Sequence, residues 1–246
     1  MEKFVIGNWK MNGDALQVHE YIHALRNVPG GIAARVGIAV PALYLAQLSA
    51  LLRHEPLAVV AQDVSRFPGS GAYTGEISAA MLKEAGCDYV LIGHSERRRH
   101  FAEHDDILLG KLRCACEAGI VPILCVGESL AQRQDGSHAQ VLAEQVGVLG
   151  AVKSMLPGGT AWVAYEPVWA IGSGQVAEPA QIVEAHAVIA RALAPVCPAK
   201  ILYGGSVKAG NAQAILSLSG VDGVLVGAAS MAAAEMTTII AAAQAA

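Results

Sequence analysis

Aromatic residues are scarce in this chain, at 5% of 246 residues with only three Phe and three Trp. A core with so few rings must be filled by Ala, Val, Ile and Leu, and the 54% hydrophobic share supplies them. Charge is sparse too, at 15%, yet so apolar a chain is globular and not disordered. Long apolar runs are missing: the longest stretch free of formal charge, Val36 to Leu52, contains Pro41, Gln47 and Ser49, which excludes a membrane span. No signal peptide is legible, because "MEKFVIGNWK" returns to polar residues after a short apolar run, and a cytoplasmic protein is expected. Cysteine is uneven as well as infrequent. Cys87, Cys114, Cys116, Cys125 and Cys197 form no C-x-x-C and have no His at ligand spacing, so they read as reduced structural thiols with no metal site. Cys114 and Cys116 stand in a helical stretch, where residues two apart do not face the same way. Positive charge is in deficit: a net charge of −4 and a pI near 6.0 exclude nucleic acid or an acidic membrane as the main partner. A phosphate bound here would need local groups to hold it.

Apolar runs recur at 4–8, 35–40, 57–62, 89–94, 121–128, 161–166, 200–205 and 223–227. Helical faces lie between them: Val18, Tyr21, Ile22 and Leu25 mark one, and Ile182, Val183, His186, Ile189 and Leu193 mark another. Strands this apolar are buried on both faces by crossover helices, which is the pattern of a parallel sheet. Eight such units at roughly 30 residues each close a (β/α)8 barrel with eight parallel strands. The alternative, an open doubly wound sheet, predicts G-x-G-x-x-G after the first strand, and the chain instead has "GNWKMNGD". No low-complexity linker divides the chain, so residues 1–246 read as one barrel domain.

In such barrels chemistry gathers at the C-terminal ends of the strands. Strand one ends in Asn8 and Lys10, strand four in His94, Ser95 and Glu96, and strand six in Glu166. Strands seven and eight end in the small-residue turns "YGGS" and "VGAAS", where bare N–H groups before a helical stretch favour an anion. Lys10 adds a point cation. A P-loop is absent, so a phosphate here is a substrate handle and not a transferred group. A carboxylate facing an imidazole across a phosphate-tagged molecule suits proton abstraction beside a carbonyl, with Glu166 as base and His94 as donor. The enediolate charge would be met by His94, Lys10 and Asn8. His94 precedes the helical "SERRRHF", and a helix N-terminus disfavours added positive charge, so a neutral imidazole is expected. After Glu166, Pro167 and Trp169 supply stiffness and an anchor. Gly172, Ser173 and Gly174 supply a bend and N–H groups for the phosphate, so this segment reads as a closing lid.

Taken in order, "GNWKMN", "GAYTGE", "IGHSERR", "CVGE", "AYEPVWAIGSG", "YGGSV" and "LVGAAS" resemble the triosephosphate isomerase family over nearly the whole chain. The resemblance implies interconversion of triose phosphates in glycolysis and gluconeogenesis, by a homodimer that uses no cofactor and no metal. It implies Asn8 and Lys10 as substrate-binding residues, His94 as electrophile and Glu166 as base. Phosphate ligands fall on Gly172, Ser206, Gly227 and the next position, Ala228, where the family usually has glycine. Ser173 and Gln175 also depart from the usual lid. Between strand three and a helix near Ser78, "DVSRFPGSGAYTGE" is too long for an ordinary connection. The resemblance implies that this loop, with Thr74, Gly75 and Glu76 at its tip, docks near Asn8 and Lys10 of a second copy. Two other readings stand beside this one. A Schiff-base aldolase would also use a lysine and a phosphate site, and borohydride trapping separates it. A non-catalytic barrel would be expected to have lost Glu166, His94 or Lys10, and all three are present.

Overall fold

The computed structural model describes residues 2–26, 31, 35–172 and 175–246. Eight strands, β1 (Phe4–Asn8), β2 (Arg35–Ala39), β3 (Leu57–Ala61), β4 (Tyr89–Ile92), β5 (Val121–Val126), β6 (Ala161–Tyr165), β7 (Ala199–Tyr203) and β8 (Gly223–Val226), form a closed barrel in sequence order. All neighbours are parallel, and β8 returns to β1 with Phe4 opposite Gly223. The predicted (β/α)8 barrel is therefore what the chain adopts. The apolar runs overshoot the strands by up to two residues: β4 stops at Ile92 before Gly93, and β5 stops at Val126 before Gly127 and Glu128. Those last residues leave the ladder and form the mouth.

Around the barrel lie α1 (Ala15–Arg26), α2 (Leu45–Leu52), α3 (Ala79–Glu84), α4 (Ser95–His100), α5 (Asp105–Glu117), α6 (Leu130–Gln134), α7 (His138–Gly147), α8 (Pro179–Leu193), α9 (Ala209–Leu216) and α10 (Ala233–Gln244). Among the described residues no helix is long and apolar enough to cross a membrane. The predicted face of α1 is the buried one, at Val18, Tyr21, Ile22 and Leu25. On α8 the buried face is Ile182, Ala185, His186, Ile189 and Leu193, with Val183 only half-buried beside it. Ser78 caps α3 by accepting from Met81 N–H at 3.3 Å, and residues 62–78 before it carry no regular structure. Two apolar layers result. Phe4, Ile6, Val60, Leu91, Trp162 and Leu202 fill the barrel interior, with Phe4 edge-on to Trp162 at 4.3 Å. The larger layer packs the outer strand faces against the helices.

His186, buried in that outer layer, places Nδ1 2.9 Å from the Gly220 carbonyl. Burial holds its pKa down at about 4, against weaker upward pulls from that bond and from Asp222. Above the unfolded value of 6.5 the group is neutral in both states and adds no pH dependence. Below it the unfolded chain takes a proton that the folded chain refuses, so stability falls as pH drops toward 4, by up to about 3 kcal/mol. His186→Asn removes this slope. Denaturant unfolding of parent and variant at several pH values should show their difference changing across that window; a constant difference refutes the assignment.

Candidate active site

The two-residue period of a strand decides which side chains reach the mouth of the barrel. Trp162 and Ala164 of β6 belong to the inner layer and Val163 and Tyr165 to the outer one, so Glu166, next in phase, points inward. By the same alternation Asn8 follows Phe4 and Ile6, Gln62 follows Val60, and Gly227 follows Leu225. Glu166 and His94 are both buried, at 2% and 7% exposure.

The Glu166 carboxylate is engaged at both oxygens. Oε2 accepts from Ser95 N–H at 2.9 Å, and Oε1 lies 3.0 Å from His94 Nε2. His94 caps α4, and its Nδ1 accepts from Glu96 N–H at 3.3 Å. That bond needs a lone pair on Nδ1, which assigns the ring proton to Nε2, facing Glu166. The helix N-terminus alone predicts a depressed His94 pKa, and the direction found is the opposite. Burial lowers it, but the Glu166 charge, the bond to Glu166 and the Glu96 charge together outweigh burial and raise it, with Lys10 opposing.

Lys10 leaves β1 with φ of 53°, a left-handed conformation uncommon for a side chain of its kind. Two bonds hold it there: its N–H donates to Asn8 Oδ1 at 3.0 Å, and its carbonyl accepts from Gln62 Nε2 at 2.9 Å. Lys10 Nζ is ion-paired with Glu96 Oε1 at 2.5 Å. Burial pushes the Glu96 carboxyl up, while the Lys10 bond and charge outweigh it and hold that pKa below its ordinary value.

These groups open onto a cavity of about 330 Å³ whose lining includes Asn8, Lys10, His94 and Glu166 together with Gly172, Ser206, Gly227 and Ala228. The predicted set is thus brought together, with Ser95 and Glu96 behind it through their bonds to Glu166 and Lys10. Ser173 and Gly174 lie outside the described residues. Both glycine turns stand just before a helical stretch, as expected. Ser206 precedes α9 by three residues, with Lys208 as the cap, and Gly227 leads into a 3₁₀ turn at Ala228–Met231. Ala228 does not take a positive φ and its methyl is exposed, so alanine does not strain the turn. Thr74, Gly75 and Glu76 stand apart from this cavity. Thr74 and Gly75 form an exposed turn closed by Glu76 N–H to the Tyr73 carbonyl at 3.1 Å. Gly75 and Glu76 border a second cavity, of about 460 Å³, that meets the first at Asn8, Lys10 and His94.

Three groups went unassigned in the sequence. Gln62 ends an apolar run, which is the signal that found Asn8 and Glu166. Lys208 lines the cavity beside Ser206. Glu128, fully buried, accepts on Oε1 from Arg133 Nε at 3.0 Å, Tyr165 OH at 3.0 Å and Trp169 Nε1 at 2.9 Å. It ties the segment after Glu166 to the body of the barrel. A carboxylate, an imidazole N–H and an ammonium around one small cavity can remove a proton from carbon and meet the oxyanion that forms.

A family model described as triosephosphate isomerase matches residues 3–243. Triosephosphate isomerase of Neisseria meningitidis serogroup A / serotype 4A is 44% identical over 250 residues, covering 99% of this chain and 98% of that protein. The Delftia acidovorans protein of the same name is 46% identical over 249 residues, covering 99% of both, and that of Thiobacillus denitrificans is 45% identical over 243 residues, covering 97% of both.

Proposed function

The chain belongs to the triosephosphate isomerase family, and on that premise we propose that it interconverts dihydroxyacetone phosphate and D-glyceraldehyde 3-phosphate through an enediolate, with Glu166 as base and His94 as proton donor to the carbonyl oxygen. One observation carries this reading: Glu166 Oε1 and His94 Nε2 meet at 3.0 Å in the cavity that also holds Lys10 and both glycine turns. The contact is a resting one. A triose must pass between the two side chains, so its carbonyl oxygen replaces Glu166 on His94 Nε2 and the freed carboxylate turns toward carbon. With Glu166 drawn off, the main influence raising the His94 pKa goes with it, and burial, the largest influence and a lowering one, remains with the Lys10 charge against the smaller upward pull of Glu96. The imidazole then donates as the neutral species, and a weak acid suits a weakly basic enediolate oxygen.

Phosphate is held by N–H groups of Gly172, Ser206, Gly227 and Ala228, with Lys10 as counter-charge. Pro167 to Gly174 act as a lid that excludes water from the enediolate, hinged where Trp169 bonds to Glu128. Lys10 Nζ is already engaged by Glu96, an arrangement that does not present it as a free nucleophile and argues against a Schiff base. The exposed turn at Thr74 and Gly75 docks in a second copy, and the enzyme acts as a homodimer in the cytoplasm. The test is a coupled assay with glyceraldehyde 3-phosphate, run with and without borohydride. Isomerisation without covalent trapping is the expected result; trapping on Lys10, or no turnover, overturns the reading. Ala228→Gly should shift the inhibition constant of a phosphate analogue by less than about threefold, a sub-kcal/mol change. A much tighter variant would mean that the methyl crowds the anion.

A further inference from the structure

Gln145 lies on α7 and lines neither cavity. Its carboxamide grips a single residue from both ends: Gly127 N–H donates to Oε1 at 2.8 Å, and Nε2 donates to the Gly127 carbonyl at 3.0 Å. β5 has already ended at Val126, so these two bonds take the place of a strand ladder. The contacts of Gly127 make the grip consequential. Its α-carbon packs so tightly on the main chain of Glu166 that a Cβ there would land on the Glu166 carbonyl oxygen, and Glu166 N–H donates to the Val126 carbonyl at 2.7 Å. The next residue, Glu128, receives Trp169 Nε1 and Tyr165 OH on its side chain, and its carbonyl accepts from Val168 N–H at 3.1 Å. One clamped residue therefore backs the peptide of the carboxylate, and its neighbour anchors the lid segment.

We propose that Gln145 is a positioning residue for the isomerisation, fixing the Glu166 peptide and the Glu128 anchor of the lid in one register from outside the substrate cavity. The inference rests on the isomerase reading given above. Gln145 touches nothing that binds phosphate, so its loss acts on the placement of the base and on lid closure, not on affinity. A small misplacement of a reacting group is amplified in turnover, because a shift of about 1 Å can cost ~10²-fold.

Gln145→Leu keeps approximate volume and removes both bonds. Turnover should fall by about tenfold or more with KM little changed, and because the lid anchor moves with the same peptide, the enediolate should more often expel its phosphate as inorganic phosphate before reprotonation, which raises the ratio of the product, methylglyoxal, to isomer. A residue that only stabilised the fold would lower the melting temperature and leave the kcat-to-KM split and the product ratio untouched. Gln145→Glu provides the second arm. Its carboxylate still accepts from Gly127 N–H but faces the Gly127 carbonyl without a proton, and protonation restores a donor. Its turnover relative to the parent at the same pH should therefore recover as pH falls. A parent that isomerises alongside a Gln145→Leu enzyme of equal kcat and product ratio, or a flat relative pH profile for Gln145→Glu if the leucine variant does not fold, overturns the inference. A parent without isomerase activity fails the functional reading instead.

Discussion

Glu166→Asp should bind triose phosphate almost as the parent does and turn it over at least about 10²-fold more slowly. The substitution keeps the negative charge and withdraws it by one methylene. Nothing in the main chain can make up the difference. Glu166 N–H is bonded to the Val126 carbonyl, the Tyr165 carbonyl accepts from Gly204 N–H at 2.7 Å, and Gly127 leaves no room behind the Glu166 carbonyl. A Cβ at Gly204 would stand 3.0 Å from Glu166 Cγ, so the side chain itself moves in a channel cut by missing side chains. The groups proposed to hold phosphate, Gly172, Ser206 and Gly227, line the same cavity and are untouched, so kcat and not KM is expected to carry the loss. Steady-state kinetics beside inhibition by a non-reacting phosphate analogue separates the two quantities. Equal kcat in mutant and parent would remove Glu166 from the role of base.

Much of this site could be read from the sequence because a strand exports its order to space with almost no loss. An apolar run that closes on a polar residue delivers that residue to the barrel mouth, and Asn8 and Glu166 arrive there by phase alone. Gln62 obeys the same rule, which applied once more finds the group that braces Lys10. Other features were not legible, since they depend on pairs far apart in the chain. Trp169 meets Glu128 from 41 positions away, and Ser95 N–H meets Glu166 from 71. The direction of the His94 pKa belongs to this class. Local reasoning sees only a helix N-terminus, whereas burial lowers the pKa and the Glu166 carboxylate from another strand, helped by Glu96, outweighs that burial. Strand ends were overrun for a related reason: Gly93 and Gly127 look like continuations of apolar runs, and only the folded mouth shows that they have left the ladder.

Thr74→Arg should shift the protein from dimer to monomer and depress activity, although Glu166 and His94 are untouched. Residues 71–76 are exposed without interruption, and Thr74 and Gly75 form the turn at their tip, stiffened by Tyr73 stacking on Phe67 at 3.8 Å. Such a tip has no core of its own. The neighbouring cavity of about 460 Å³ reaches Asn8 and Lys10, and its rim carries Met11 at 94% exposure and Phe101 at 64%. Exposed apolar side chains around a hollow mark a surface that a partner can cover, and in the proposed dimer a second copy inserting its own tip would cover both such hollows by symmetry. An arginine at the tip would enter beside Lys10, a like charge, where of the lining carboxylates Glu96 is already paired with Lys10 and Asp63 with Arg97 and Lys111, which leaves only the exposed Glu76 on the rim. An unpaired charge left in such an interface costs about 3–5 kcal/mol, which weakens association by roughly 10²- to 4 × 10³-fold. In the proposed dimer the tip would pack on the loop of Lys10, whose φ of 53° is held within the chain by its bonds to Asn8 and Gln62, so activity is expected to fall with dissociation. Sedimentation velocity across a dilution series, with specific activity measured at each step, checks both parts. A parent that sediments as a fully active monomer would refute the dimer and, with it, the role given to this loop.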